Sequence, residues 1–106
     1  MTKVAIPVNN YIILLNQDEI LYCQSDNCYT TIYLKNQKSY VIVKSLTKFH
    51  LELEAGKFVR VSQSYIVNHE HIKQIDKKRK LIYIDDETKL PFTLSNKQLM
   101  EYIIPG

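Results

Sequence analysis

Apolar residues recur at every second position over most of this chain, in short stretches rich in β-branched and aromatic side chains and separated by polar turns. The pattern predicts a protein built mainly of strands. Residues 11–15 read as a first strand, ended by the turn Asn16-Gln17-Asp18-Glu19, and residues 20–24 as a second, followed by the polar loop Ser25-Asp26-Asn27-Cys28. From Tyr29 to Lys35, Tyr29, Thr31 and Tyr33 alternate with Thr30, Ile32 and Leu34, so one face is apolar and the other carries hydroxyls. Asn36-Gln37-Lys38 then turns the chain into residues 39–43 as a hairpin.

The period changes at Ser45. Leu46, Phe49 and Leu53 fall at helical spacing and Gly56 sits where a helix-terminating glycine would, predicting a short helix over about residues 46–54. Residues 58–62 and 65–68 are strand-like again, interrupted by a bend at Ser62-Gln63-Ser64, and Ile72 and Ile75 carry the apolar pattern to the basic turn Lys77-Lys78-Arg79-Lys80. Residues 81–84 and 90–93 flank Asp85-Asp86-Glu87-Thr88 as a second hairpin, with Pro91 restricting the return strand to a sheet edge. Ser95-Asn96-Lys97-Gln98 has the form of a capping box, serine at the N-cap and glutamine three residues on, ahead of a short closing helix carrying Leu99, Tyr102 and Ile103. No repeat or linker breaks the chain, so residues 1–106 read as one domain with an ordered core over about residues 9–104. The first several residues and Pro105-Gly106 are expected to be loose ends.

A chain of 106 residues with 45% hydrophobic content suits one mainly β domain with a single short central helix and a C-terminal one. With two glycines in all, it has no glycine-rich loop to wrap a nucleotide phosphate. Its apolar runs are far shorter than the roughly 20 residues a spanning helix needs, and the N-terminus lacks the apolar core and cleavage site of a signal peptide. The expected location is therefore the cytoplasm, with no membrane partner and with Cys23 and Cys28 as free thiols. Charge is unevenly placed. Residues 57–80 hold Lys57, Arg60, Lys73, Lys77, Lys78, Arg79 and Lys80 against Glu70 and Asp76, a net +5, whereas residues 1–34 hold Lys3 against Asp18, Glu19 and Asp26, a net −2. This polarity points one face toward a polyanion, although a run of four basic residues is also what a solvated turn looks like.

Few groups are spaced for catalysis or metal binding. His69 and His71, two apart on a strand-like piece, would share a face, but no Cys pair has structural-zinc spacing, so no metal or cofactor is expected. No carboxylate pair or nucleophile elbow is present, and Cys23 in an apolar strand reads as a small core residue, so the chain is not expected to be an enzyme. Asp85-Asp86-Glu87 reads as a solvated turn. What remains is binding: Asp26-Asn27-Cys28, Ser62-Gln63-Ser64 and Ser95-Asn96-Lys97 offer the amides and hydroxyls that read base edges, with lysines nearby to meet phosphates.

The order of these segments resembles the LytTR family of bacterial DNA-binding domains. The resemblance runs through Asp18-Glu19-Ile20-Leu21-Tyr22, Asn27-Cys28-Tyr29, Ser45-Leu46 and, most specifically, Phe58-Val59-Arg60-Val61-Ser62-Gln63-Ser64-Tyr65-Ile66-Val67-Asn68. Leu90-Pro91-Phe92-Thr93-Leu94-Ser95 looks like that family's closing strand. The resemblance implies small antiparallel sheets stacked in an elongated array, with loops rather than a helix entering the major grooves of promoter direct repeats. It implies double-stranded DNA as partner, a second copy on the DNA, and an upstream receiver domain or a sensor kinase in a two-component system. With no room for a receiver's βα pattern, the expectation is a stand-alone regulator or an excised response-regulator output domain.

Carried over position by position, the DNA-binding candidates are Asn27, Cys28, Tyr29, Arg60, Ser62, Gln63, Ser64, Ser95, Asn96 and Lys97, with Lys78 and Lys80 on phosphates. Ser62 replaces a histidine common in the family and Ser95 a frequent basic residue, while Arg60, lying within an apolar strand, is expected also to brace the bend. The rival expectation is a protein-interaction module of the same fold whose DNA site has decayed.

Overall fold

The computed structural model describes residues 2–104, so Pro105-Gly106 lies outside the described residues. Strands β1 (Lys3–Val8) and β2 (Tyr11–Asn16) form a hairpin, and a 3₁₀ turn at Gln17–Glu19 leads into β3 (Ile20–Asp26), β4 (Tyr29–Leu34) and β5 (Ser39–Ile42). Helix α1 (Leu46–Glu52) precedes β6 (Phe58–Arg60) and β7 (Tyr65–Asn68). After a second 3₁₀ turn, His69–His71, come β8 (Gln74–Asp76), β9 (Leu81–Tyr83), β10 (Lys89–Pro91) and α2 (Asn96–Ile103). These strands make a two-stranded sheet β1-β2, a five-stranded sheet β5-β4-β3-β7-β6 and a three-stranded sheet β10-β9-β8, all antiparallel. The body is elongated, 44 × 28 × 25 Å. The mainly β stacked-sheet expectation is met.

The central sheet is apolar on both faces, and period two explains how it serves two cores. Phe58 and Ile66 point into one cluster with Ile6, Ile20, Cys23, Ile32, Ile42 and Phe49, while their neighbours Val59 and Val67 point into another with Val61, Ile82, Leu90, Phe92 and Leu99. The first core joins the β1-β2 hairpin and α1 to the sheet; the second joins the three-stranded sheet and α2. Ser45 caps α1 by accepting from the Lys48 amide, and Ser95 and Gln98 form both halves of the expected capping box on α2. As Pro91 requires, β10 is an edge strand.

Four local expectations are corrected. The N-terminal segment is a strand rather than a loose end, because β2 supplies a partner along its whole length and Val4 and Ile6 are only 5% and 0% exposed. Helix α1 stops at Glu52, before the expected Glu54, since Leu53 turns extended and is buried in the first core. Gly56 is accordingly not the helix cap; its φ of +82° serves the turn entering β6. His69 and His71 lie on a 3₁₀ turn rather than on one face of a strand.

Candidate nucleic-acid interface

The bend between β6 and β7 is closed by the Val61 amide donating to Tyr65 O at 3.1 Å and by Ser62 Oγ accepting from the Ser64 amide at 3.2 Å. Arg60 fills it from within. Its Nε donates to Ser62 O at 2.7 Å, its Nη2 to Gln63 O at 2.6 Å, and its Nη1 to Thr47 Oγ1 on the first turn of α1 at 3.0 Å. The Gln63 backbone is thus held while its side chain stays exposed, with no hydrogen bond among the described residues. The Ser62 hydroxyl is already engaged by the local turn.

Two main-chain bonds gather the loops that are far apart in sequence. The Ser25 amide donates to Ser64 O at 2.8 Å, placing the β3-β4 turn beside the bend, and the Thr93 amide donates to Val61 O at 2.9 Å, placing the segment before α2 on its other flank. At the β3-β4 turn, Asp26 pairs with Tyr29, leaving Asn27 and Cys28 as a two-residue tip. Asn27 has a φ of +56°, a left-handed conformation that asparagine tolerates better than most residues. Asp26, Asn27, Cys28 and Tyr29 are all exposed. A notch of about 270 Å³ separates Arg60, Val61, Ser62 and Gln63 from Thr93 and Leu94.

At the third loop Ser95 is committed to the helix cap, accepting from the Gln98 amide at 3.1 Å. Asn96 is half-buried, and its Oδ1 is enclosed with no hydrogen-bond partner, whereas Lys97 is exposed. A cavity of about 270 Å³ lined by Ile75, Lys77, Asn96, Lys97, Leu99 and Met100 joins this loop to the basic turn. Lys77, Lys78 and Arg79 are exposed there, on a turn whose shape is set by Asp76 Oδ1 accepting from the Lys78 and Arg79 amides at 3.1 and 2.9 Å. Lys80 turns inward instead. Its φ is +59°, its Nζ donates to Leu94 O, and the ammonium lies 4.7 Å from the centre of the Phe92 ring.

The basic segment therefore does not present its charge as one face. Lys57 is 9% exposed and pairs with Asp18 and with Glu70 Oε2, the latter at 2.9 Å. Hydrogen bonds from the ammonium, that to Asp18 foremost, raise the lysine above its ordinary value, and the same contacts hold both carboxyls below theirs. Nothing in the sequence around Lys57 signals this, since its partners come from two other turns.

Asn68, the last residue of the most specific string, is another site that sequence reasoning missed. It is fully buried, donates from Nδ2 to Ile20 O at 3.0 Å and to Gln17 O at 3.4 Å, and accepts from the Glu70 amide at 3.1 Å. Buried Gln17 extends the network by accepting from the Glu54 amide at 2.8 Å. His71 Nε2 donates to Asp18 O at 2.7 Å, and His50 Nε2 to Phe58 O at 3.1 Å, so these two rings are tied to the scaffold. Cys23 is buried, with its thiol pushed up by burial, and Cys28 is exposed; the two are not bridged. Among the described residues no group of three or more His, Cys, Asp or Glu is placed to hold a metal ion, and no helix is long and apolar enough to cross a membrane. Asp85 folds back on its own turn, accepting from the Glu87 and Thr88 amides at 2.8 and 2.6 Å, and those donors keep its carboxyl low.

Against this geometry, the chain is similar to the transcriptional regulatory protein LytR of Staphylococcus aureus strain MW2, at 31% identity over 70 residues, covering 66% of this chain and 28% of that protein. It is similar at 26% identity, over 96% of its length, to the heme-containing CO-sensing transcriptional regulator RcoM 1 of Paraburkholderia xenovorans strain LB400, of which it covers 39%. The chain thus spans well under half the length of these relatives. Its fold matches the LytTr DNA-binding domain of a putative methyl-accepting/DNA response regulator from Bacillus cereus with a TM-score of 0.76, at 21% identity, covering 100% of this chain and 99% of that one. The family model for the LytTr DNA-binding domain matches residues 10–104, and the chain belongs to that family.

Proposed function

We propose that this chain binds double-stranded DNA sequence-specifically as the DNA-binding module of a bacterial transcriptional regulator, working in the cytoplasm with no cofactor and no catalytic step of its own. The observation that carries this reading is the pair of main-chain bonds, Ser25 to Ser64 and Thr93 to Val61, that link three polar loops, the last of which shares a cavity with Lys77 of the basic turn. In the proposed mode these loops enter the major grooves of promoter direct repeats. Gln63 and Asn27, both exposed, offer side-chain amides that can bond adenine in two places, and Cys28, Tyr29 and Ser64 line the same approach. Lys78 and Lys97 meet phosphates and set the position without reading sequence.

Ser62, Ser95 and Asn96 enter this account in a supporting part. The Ser62 hydroxyl is engaged in the turn that carries Gln63, the Ser95 hydroxyl caps α2, and the Asn96 oxygen is enclosed, so Ser62 shapes the bend and Ser95 the loop before α2. A second copy on the neighbouring repeat, and a receiver domain or sensor kinase that controls occupancy, complete the proposal. LytR and RcoM 1, by their names transcriptional regulators, support it by analogy.

Selection of bound duplexes from a random library tests the reading. An enriched direct-repeat motif is the expected result. No enrichment, with retention of the fold, would transfer the account to a protein-interaction module.

A further inference from the structure

We infer that Arg60 and Lys80 are positioning residues for base readout, whose charges are directed at the backbone carbonyls of the reading loops and not at DNA phosphates; this rests on the DNA-binding reading above. Both come from the basic segment that composition alone would assign to phosphate contact. The guanidinium has five N–H donors in a planar fork, and three are used inside the protein, two of them on the consecutive carbonyls of Ser62 and Gln63 at 2.7 and 2.6 Å. Those carbonyls define the bend from which the Gln63 amide projects. The third bond, to Thr47, fixes the bend to α1, so the rigid first core sets where Gln63 sits.

Lys80 does the same for the last loop. A lysine at φ +59° is an uncommon choice where glycine or asparagine would relieve strain, and here that backbone turns the side chain back across Phe92 onto the Leu94 carbonyl, next to the cap of α2. One cation thus braces each loop flanking the notch.

A phosphate ligand and a positioning residue leave different marks. Removing a phosphate contact lowers the slope of log affinity against log salt by about 0.9 and weakens all sequences alike, whereas loosening a reading loop leaves the slope and erodes the preference for the specific site. Lysine at position 60 separates charge from geometry, because it keeps the charge and lacks the fork.

The test compares the wild-type chain with R60K, R60Q, K80M and the milder T47V on the selected duplex and a scrambled one across a salt series, together with amide hydrogen exchange in the free proteins. The expected result is an unchanged salt slope for all four, a loss of specific-over-scrambled preference of about tenfold or more in R60Q that R60K does not restore, and faster exchange at Val61 and Ser64 in R60Q. A slope reduced by about 0.9 in R60Q and restored in R60K, or exchange at the bend unchanged in R60Q, overturns the inference. Should R60Q fail to fold, T47V and K80M carry the same comparison, T47V at the bend and K80M by exchange at Ser95. A wild-type chain that shows no preference between duplexes counts against the DNA-binding reading instead, and the exchange comparison in the free protein still decides whether the bend depends on Arg60.

Discussion

The backbone amide of Ser25 donates to the carbonyl of Ser64 across 2.8 Å, joining the end of β3 to the bend between β6 and β7. Through this bond the hairpin tip Asn27-Cys28 and the exposed Gln63 side chain share one surface, although neither element is near the other in sequence. Each loop is also internally fixed, by the Asn27 left-handed turn in one case and the Arg60 fork in the other. In the proposed binding mode, loops fixed before binding lose little conformational freedom, which favours discrimination over loose electrostatic attachment.

Gln63→Ala is therefore expected to relax sequence preference by about 1–3 kcal/mol while leaving stability near wild type, because the side chain is exposed and the bend is held through its backbone. Competition between the selected duplex and single-base variants measures it. Equal loss on every sequence would assign Gln63 a different role.

Lys78→Ala and Arg79→Ala act on the other component. Each is expected to reduce the salt slope by up to about 0.9 with preference retained, since both side chains stand exposed on a turn shaped by Asp76 through backbone amides that alanine preserves. Titrations at several ionic strengths resolve this from a change in discrimination.

The Lys57 cluster predicts the pH dependence of stability. Glu70 and Asp18 titrate below their ordinary values of 4.5 and 3.8 because Lys57 donates to them, so their contribution is complete above those values and is lost as pH falls through the lowered folded ones. Lys57 titrates above its ordinary 10.5, so its contribution is lost only on the alkaline side. Lys57→Met is expected to lower Tm clearly at about pH 6, and the gap to wild type should narrow by about pH 3 as the carboxylates protonate. Thermal melts across that range check it; a gap that stays constant would remove the cluster from the account.

Asn68→Ala strips the partner from two buried carbonyls and the Glu70 amide, and is expected to cost about 2–3 kcal/mol in urea unfolding. Its loss should weaken DNA binding only as far as the folded fraction falls. A variant that is fully folded yet does not bind would give Asn68 a direct part in the interface.

What was legible in the sequence is what neighbouring residues decide. Alternation fixed the faces of β4, Ser95 and Gln98 announced α2, and Pro91 marked an edge, each through local chemistry. β1 was hidden because Lys3–Val8 becomes a strand through its pairing with β2, and a segment with a proline near its end carries weak strand signal alone. The basic segment read as one charged face because composition cannot distinguish Lys78, which faces solvent, from Lys57, which faces Asp18 and Glu70 brought by two separate 3₁₀ turns. Lys80 turned inward for the same kind of reason, its acceptor being a carbonyl, which every sequence supplies and no residue type reveals, whereas the bracing part of Arg60 was legible from its place within an apolar strand.

Fluorescence-anisotropy titration of the wild-type chain against the selected and scrambled duplexes, at about 50 and 200 mM salt, tests the central claim most directly. Affinity for both that falls steeply with salt, with the selected duplex preferred at each concentration, is the predicted result. Binding that is absent, or identical for the two duplexes at both concentrations, would contradict it.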